Sequence, residues 1–329
     1  MSGLLLSLDR PDGTYGAGGD IAGTFEVTAQ SDLEARRAGV SLQWRTEGWS
    51  NTDKGKPRRV ELSGPFSLAA GESRRFEFAV PAPDGPLSYR GQNFQLVWRL
   101  EGRVDLPMRR DAKVEREITI VRGVPSEHPD LGPRYRLLKR PRSYRVIAYW
   151  LAVLVSVAPL AFAFWPQFAG GERTVWHWIA MAVGALLFIF GGRGVIAARR
   201  LGQIDVGLTP EHIRPGEKLE FSLSVRPRGT VDVETIEATL RAEEWARKGG
   251  GNNASVRTRE AFKEQSVIAT DLSLDPRNPF IARGEFLLPE SAPCTFVASE
   301  NKLRWWLKIG VAIAGWPDWS AEYPVVVVP

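Results

Sequence analysis

Cysteine is almost absent from this sequence. Cys294 stands alone among 329 residues, so no intrachain disulfide and no cysteine-built zinc site can form. Histidine is nearly as scarce. His128, His177 and His212 lie far apart, which leaves little material for a metal centre or a histidine-based catalyst. Lysine is sparse too, so arginine supplies most of the basic charge behind a net charge of +5. The acidic residues are spread along the chain with no paired constellation, and neither a metal nor a cofactor is expected. The opening "MSGLLLSLDR" is not expected to serve as a secretory leader. Three leucines are too few for its apolar core and no basic residue precedes them, so the first part of the chain is expected to fold where it is made.

Long apolar runs are present, in the middle of the chain. Val146 to Trp165 reads "VIAYWLAVLVSVAPLAFAFW", twenty residues without a charge, long enough to cross a hydrocarbon layer. Pro159 interrupts it, which a membrane helix tolerates. After the loop "PQFAGGERT", Val175 to Gly192 reads "VWHWIAMAVGALLFIFGG". Arg193 can snorkel, and Val195 to Ala198 extend the run. Trp150, Trp165, Trp176 and Trp178 lie near the ends, where interfacial rings belong. Two buried core helices are the alternative, disfavoured by the length of the uncharged runs. Before the first run come Arg134, Arg136, Lys139, Arg140, Arg142 and Arg145 with no acid among them; after the second come Arg193, Arg199 and Arg200. In the connecting loop Glu172 and Arg173 cancel. The excess of positive charge on both flanks predicts a hairpin with both flanks in the cytoplasm. Anionic lipid at the basic flank, through Arg140, Arg142 and Arg145, is a further expectation.

The remaining sequence is written in short alternating runs broken by glycine and proline, the pattern of β-sandwiches. It is also written twice. Leu96, Trp98 and Leu100 in "QLVWRLEGRV" return as Leu303, Trp305 and Leu307 in "KLRWWLKIGV". "RPGEKLEFSLSVRP" answers "GAGGDIAGTFEVTA", with Gly216 and Glu217 set against Gly19 and Asp20; "GEFLLP" answers "FEFAVP", with Pro289 set against Pro81. The register drifts between early and late matches, and the extra residues are placed in the loop near "KGGGNNAS". The fold expected is all-β: two tandem arrestin- or immunoglobulin-like sandwiches separated by a two-helix transmembrane hairpin. The first sandwich is assigned to 1–123, linker and basic flank to 124–145, hairpin to 146–198 and second sandwich to 203–329.

Some of these residues form a recognisable set. Tyr15, Gly19, Asp20, Gly23 and Val27 in the opening, then Phe76, Phe78, Pro81, Pro86 and Ser88, resemble the corresponding segments of arrestin-type domains. The resemblance implies tandem β-sandwiches and an adaptor-like role. The sequence departs from that family in its hairpin. Leu4 to Leu6 stand where some animal arrestins hold phosphate-sensing lysines, so no phosphate site is carried over.

Little else carries chemistry. The cluster Gly16, Gly18, Gly19 and Gly23 leads into a strand rather than a helix, so it reads as a turn and not a phosphate loop. Ser88 has no activating histidine within its domain apart from His128 in the linker, so a hydrolytic triad is not expected. Cys294 reads as an apolar filler. Trp98 and Trp305 are assigned to the two cores. Lys54, Lys56, Arg58 and Arg59 in "DKGKPRRVE" form a basic loop that suits an acidic partner or lipid, and Trp316 and Trp319 in "GWPDW" are candidates for an apolar contact. Nucleic acid is not expected, because aromatic residues do not interleave with the basic ones. The function expected is a non-enzymatic adaptor or scaffold in a bacterial inner membrane that presents both sandwiches to protein partners in the cytosol. The alternative is an accessory subunit of a membrane transport or envelope-assembly complex that touches its partners through the hairpin.

Overall fold

A computed structural model describes residues 3–124, 128–135, 144–169 and 174–329. The first part of the chain contains β1 (Gly3–Leu8), β2 (Thr14–Gly16), β3 (Asp20–Thr28), β4 (Leu33–Ala35), β5 (Arg37–Gly48), β6 (Arg58–Ser63), β7 (Phe66–Leu68), β8 (Ser73–Pro81), β9 (Tyr89–Arg90), β10 (Phe94–Asp105) and β11 (Ala112–Val121). Two sheets face each other, one ordered β1-β3-β8 and one ordered β2-β11-β10-β5-β6 with β9 beside β10. Alternation along the strands makes this work. Phe25, Val27, Phe76 and Phe78 point from the small sheet into one core with Val40, Leu42, Leu100 and Ile118 from the large one.

Two helices follow, α1 (Tyr144–Ala169) and α2 (Val175–Leu201). They pack closely because glycine lets their backbones approach. A Cβ on Gly191 would lie 2.6 Å from the Tyr149 carbonyl oxygen, and one on Gly184 would lie 2.7 Å from Leu160. Phe162 stacks on His177 at 4.6 Å, near the start of α2. Both helices are long and apolar enough to cross a membrane, and only 17 % and 22 % of their apolar windows are buried. Leu151, Leu154, Phe164, Leu186 and Phe188 are exposed. A pair of core helices in a soluble protein would hide these residues.

The second part repeats the first. It contains β12 (Gln203–Thr209), β13 (His212–Ile213), β14 (Lys218–Arg226), β15 (Val231–Lys248), β16 (Ser255–Leu274), β17 (Phe280–Leu287), β18 (Phe296–Val297), β19 (Asn301–Ile313) and β20 (Trp319–Val327). The sheets are β12-β14-β17 and β13-β20-β19-β15-β16, the same order as before. The duplication holds bond by bond. Trp98 donates its ring N–H to the Pro86 carbonyl at 2.9 Å, and Trp305 does the same to Pro293 at 2.9 Å. The Ser88 hydroxyl accepts the Ile120 N–H, and the Thr295 hydroxyl accepts the Val327 N–H, both at 2.9 Å. Both tryptophans are buried, in line with their assignment to the cores.

Backbone bonds correct two of the sequence matches. Gly18 donates to Ala82 as Gly216 donates to Leu288, and Gly19 donates to Gly16 as Glu217 donates to Arg214. Gly216 therefore answers Gly18, not Gly19, and Pro289 answers Pro83, not Pro81. The reason is local geometry. Gly18 and Gly216 both sit at positive φ, 76° and 90°, a conformation that favours glycine. The extra residues are also placed differently. In the first copy the chain leaves β5 at Gly48, touches it at the Arg45–Lys54 bridge and pairs with it again as β6 only from Arg58. In the second copy β15 and β16 stay paired from Val231↔Leu274 to Lys248↔Ser255. The insertion lengthened a hairpin rather than its loop.

Candidate functional site

Two features of the fold offer contacts: the seam between the sandwiches and the outer strand of the second one. The seam begins with ordinary apolar packing. Ala246, Phe296, Ala298 and Leu303 of the second sandwich join the core of the first. Phe296 meets Trp44 edge-on at 5.3 Å and Phe94 at 6.3 Å.

Around this patch lies a reciprocal polar clasp. Glu244 on β15 is 2 % exposed. Its carboxylate accepts the Asn93 N–H at 2.9 Å, the Gln92 N–H at 3.2 Å and the Tyr89 hydroxyl, all in the first sandwich. Asp53, in the loop after β5, answers from the other side. Its carboxylate accepts the Glu300 N–H at 2.9 Å, the Ser299 N–H at 3.2 Å and an Asn301 amide N–H at 2.9 Å. Gln92–Asn93 and Ser299–Glu300 are equivalent turns, one before β10 and one before β19. Each sandwich thus supplies a carboxylate that satisfies two turn amides of the other, which seals groups that would be costly to bury unpaired. Burial, then the bond to Glu244, push the Tyr89 phenol above its ordinary range. Thr46 is fully buried at the same seam, and its hydroxyl accepts from Asn301 at 2.8 Å. A cavity of about 500 Å³ also opens between the sandwiches, with Arg90, Arg122 and Cys294 in its wall. Burial pushes the Cys294 thiol up to about 12, far from the range of a reactive thiolate.

The outer strand of the second sandwich is β16, at the end of its sheet order. It has 20 residues, most of them exposed, whereas its counterpart β6 has 6. Val256 and Val267 are 52 % and 55 % exposed on it. An exposed edge presents unpaired backbone groups to any extended segment that approaches. Two register shifts interrupt the pairing with β15, and bulges of this kind limit uncontrolled edge pairing.

The predicted contact residues fall at two separate places. Lys54, Lys56, Arg58 and Arg59 are exposed along the connection into β6, and Lys54 follows directly on the clasp residue Asp53. Trp316 and Trp319 lie at the far end of the second sandwich and are half-buried. Trp316 lies under two cations of α2, with Arg193 at 5.5 Å and Arg200 at 4.9 Å from its ring. The Tyr149 hydroxyl of α1 donates to the Asp318 carbonyl at 2.7 Å. The "GWPDW" turn therefore touches the helical hairpin. The two groups are separated by the length of β19, 13 residues or about 40 Å. Arg140 and Arg142 lie outside the described residues, as does the side chain of Arg145. No group of potential metal ligands occurs among the described residues. Sequence reasoning missed Glu244, Asp53 and Asn301. One signal was available: in "ATLRAEEWA", alternation turns Glu244 inward with Leu240, Ala242 and Ala246, and a carboxylate on that face needs partners.

The class defined by this architecture is a tandem β-sandwich protein carrying an apolar helical hairpin between its repeats. No protein-family model matches the chain, and no curated protein matches it significantly. Among solved structures the chain is similar to Spo0M, a sporulation control protein from Bacillus subtilis. That likeness has 13 % identity and a TM-score of 0.32 and covers 68 % of this chain and 79 % of the other. It amounts to a distant fold relation.

Proposed function

We propose that the chain is a membrane-anchored adaptor, not an enzyme, with both arrestin-like sandwiches on the cytoplasmic face of a bacterial inner membrane. The observation that carries this reading is the 20-residue open edge of β16. An extended segment of a partner protein can add to such an edge by backbone pairing, while side chains along it set specificity. The clasp supports the same role, because it holds two binding platforms in one relative orientation. The apolar, mostly exposed helices support the anchor, and Arg193, Arg199 and Arg200 after α2 support the cytoplasmic orientation. The buried Tyr15 and Val27 and the structural use of Ser88 support the arrestin-like reading.

The test is crosslinking in cells with the full chain and with a Val256→Lys/Val267→Lys variant, which places charge on the edge. A partner captured by the wild type and lost from the variant, with the chain still in the membrane, supports the adaptor. A partner retained by the hairpin alone favours the complex-subunit reading. Turnover by the purified chain, lost on altering one polar residue, would establish an enzyme instead.

A further inference from the structure

The end of the second sandwich that meets α2 is unusually basic. Arg199 and Arg200 form the last turn of the helix. The chain then turns at Gly202, with φ of 67°, and enters β12, where Gln203 pairs with Arg226. A Cβ on Gly202 would lie 2.1 Å from the Arg226 carbonyl oxygen, so the strand end is pressed against the helix exit. Arg228 follows on the next turn and donates its backbone N–H to the Arg200 carbonyl at 2.8 Å. Arg193 stands about two turns back along the helix, some 10 Å away. All five guanidinium-bearing side chains are exposed. None forms a salt bridge among the described residues, although Asp232 lies near the start of β15 and Asp318 in the turn before β20.

Arg199 and Arg200 have an ordinary explanation, since cations complement the carbonyl end of a helix. Arg226 and Arg228 belong to the sandwich and do not share it. The face they occupy is also held in place. Ala197 and Leu201 of α2 are buried in the core of the second sandwich, so this end of the sandwich cannot move far from the point where α2 leaves the membrane. A folded partner has no room to enter that gap, whereas lipid headgroups are always there.

We propose that this face docks on the anionic phospholipid headgroups of the leaflet from which α2 emerges, with Arg199, Arg226 and Arg228 meeting phosphates and Trp316, held by Arg193 and Arg200, lying at headgroup depth. The inference rests on the reading of α1 and α2 as membrane-crossing. Basic side chains near a leaflet are drawn to anionic lipid within a Debye length, and an indole favours the interface.

The test is hydrogen exchange on the full chain in nanodiscs of phosphatidylcholine alone and of phosphatidylcholine with phosphatidylglycerol. The expected result is exchange at least threefold slower over 226–232 and 314–319 in the anionic discs. The difference should vanish at 0.5 M salt and in Arg226→Gln/Arg228→Gln, and should persist in Arg58→Gln/Arg59→Gln. Equal exchange in both discs overturns the proposal and leaves the membrane reading intact, as does full protection in the Arg226→Gln/Arg228→Gln chain. Equal protection by inorganic phosphate in neutral discs overturns the assignment to lipid. A chain that enters neither disc overturns the membrane reading, and this inference with it.

Discussion

The two sandwiches use the same bonds in the same places and differ in what they are tied to. The second is fused to the apolar helical hairpin through Ala197 and Leu201 in its core. The first is tied to the second through Glu244 and Asp53. Their cores are also filled by different means. Phe25 fills the first core, and Gly102 opposite makes room for it, since a Cβ there would lie 2.7 Å from the ring. Leu223 and Ile309 occupy the equivalent positions of the second core and share the volume between two medium side chains. After duplication, the backbone frame set by turns and tryptophan bonds stayed fixed. One core pair did exchange places: Gly23 makes room for Phe78 in the first copy, and Gly284 makes room for Phe221 in the second; the edges diverged most, as β16 against β6 shows.

The tryptophans test how equal the copies are, with the largest effect. Trp98→Ala and Trp305→Ala should each cost about 3–5 kcal/mol, from lost burial and the cavity left behind. The consequences should separate. Losing Trp305 should also release hydrogen-exchange protection in residues 195–201, because α2 ends in that core. Losing Trp98 should leave those amides protected. Release of the α2 end by both variants would mean that the two cores unfold as one unit.

The clasp tests whether its two halves are equivalent. Glu244→Ala leaves two backbone amides and the Tyr89 hydroxyl without a partner at a buried site, a cost of about 3 kcal/mol. Asp53 is half-exposed, so water can replace it at Ser299 and Glu300, and Asp53→Ala should cost about 1 kcal/mol. Chemical unfolding in detergent measures both. Separation of the sandwiches by proteolysis between residues 123 and 135 should be faster in the Glu244 variant. Equal effects would show that the seam is held by its apolar patch alone.

An alkaline titration separates the copies at one position. Tyr15 pairs with Ile120 on β11, and Ile213 pairs with Val327 on β20 in the equivalent place. Burial, then the 2.5 Å hydrogen bond to Asp9, push the Tyr15 phenol up to about 12 from an ordinary 10.0. A phenol that resists ionisation in the fold stabilises it fully below pH 10, and that contribution is lost as pH climbs through 12. Tyr15→Phe should therefore be less stable by about 1 kcal/mol below pH 10, and the gap should close between pH 10 and 12. Ile213→Val, the matching change in the second copy, should show a gap with no such slope.

Much of this organisation was legible in the sequence, for physical reasons that differ by element. The hairpin announced itself because uncharged runs of this length have few other uses. The duplication showed in Leu-x-Trp-x-Leu because the tryptophan needs both a core and a proline carbonyl. The register at Gly216 and Pro289 was misread by one and two residues, because glycine and proline recur in these turns and only backbone bonds distinguish them. The seam as a whole was not legible, though alternation marked Glu244 as an inward carboxylate. Asp53 and Glu244 come from non-equivalent positions and act on turns in the other repeat, so no local pattern joins them. The length of β16 was hidden because an overhanging edge strand has no core to impose alternation on most of its residues.

The smallest predicted difference concerns the bond that repeats most faithfully. Ser88 and Thr295 both accept a backbone N–H of the last strand of their sandwich at 2.9 Å. Their surroundings differ, since Thr295 is 2 % exposed while Ser88 is only half-buried. Removing an acceptor costs more where water cannot take its place. Ser88→Ala should cost about 0.5 kcal/mol and Thr295→Ala about 1.5 kcal/mol. Part of the second figure is the lost threonine methyl, so Thr295→Val, which keeps that bulk, isolates the hydroxyl. A Thr295→Val loss near 1 kcal/mol, larger than that of Ser88→Ala, would show that burial shields the second copy's bond while water reaches the first. Equal losses would mean that the two bonds are equivalent in strength as well as in length.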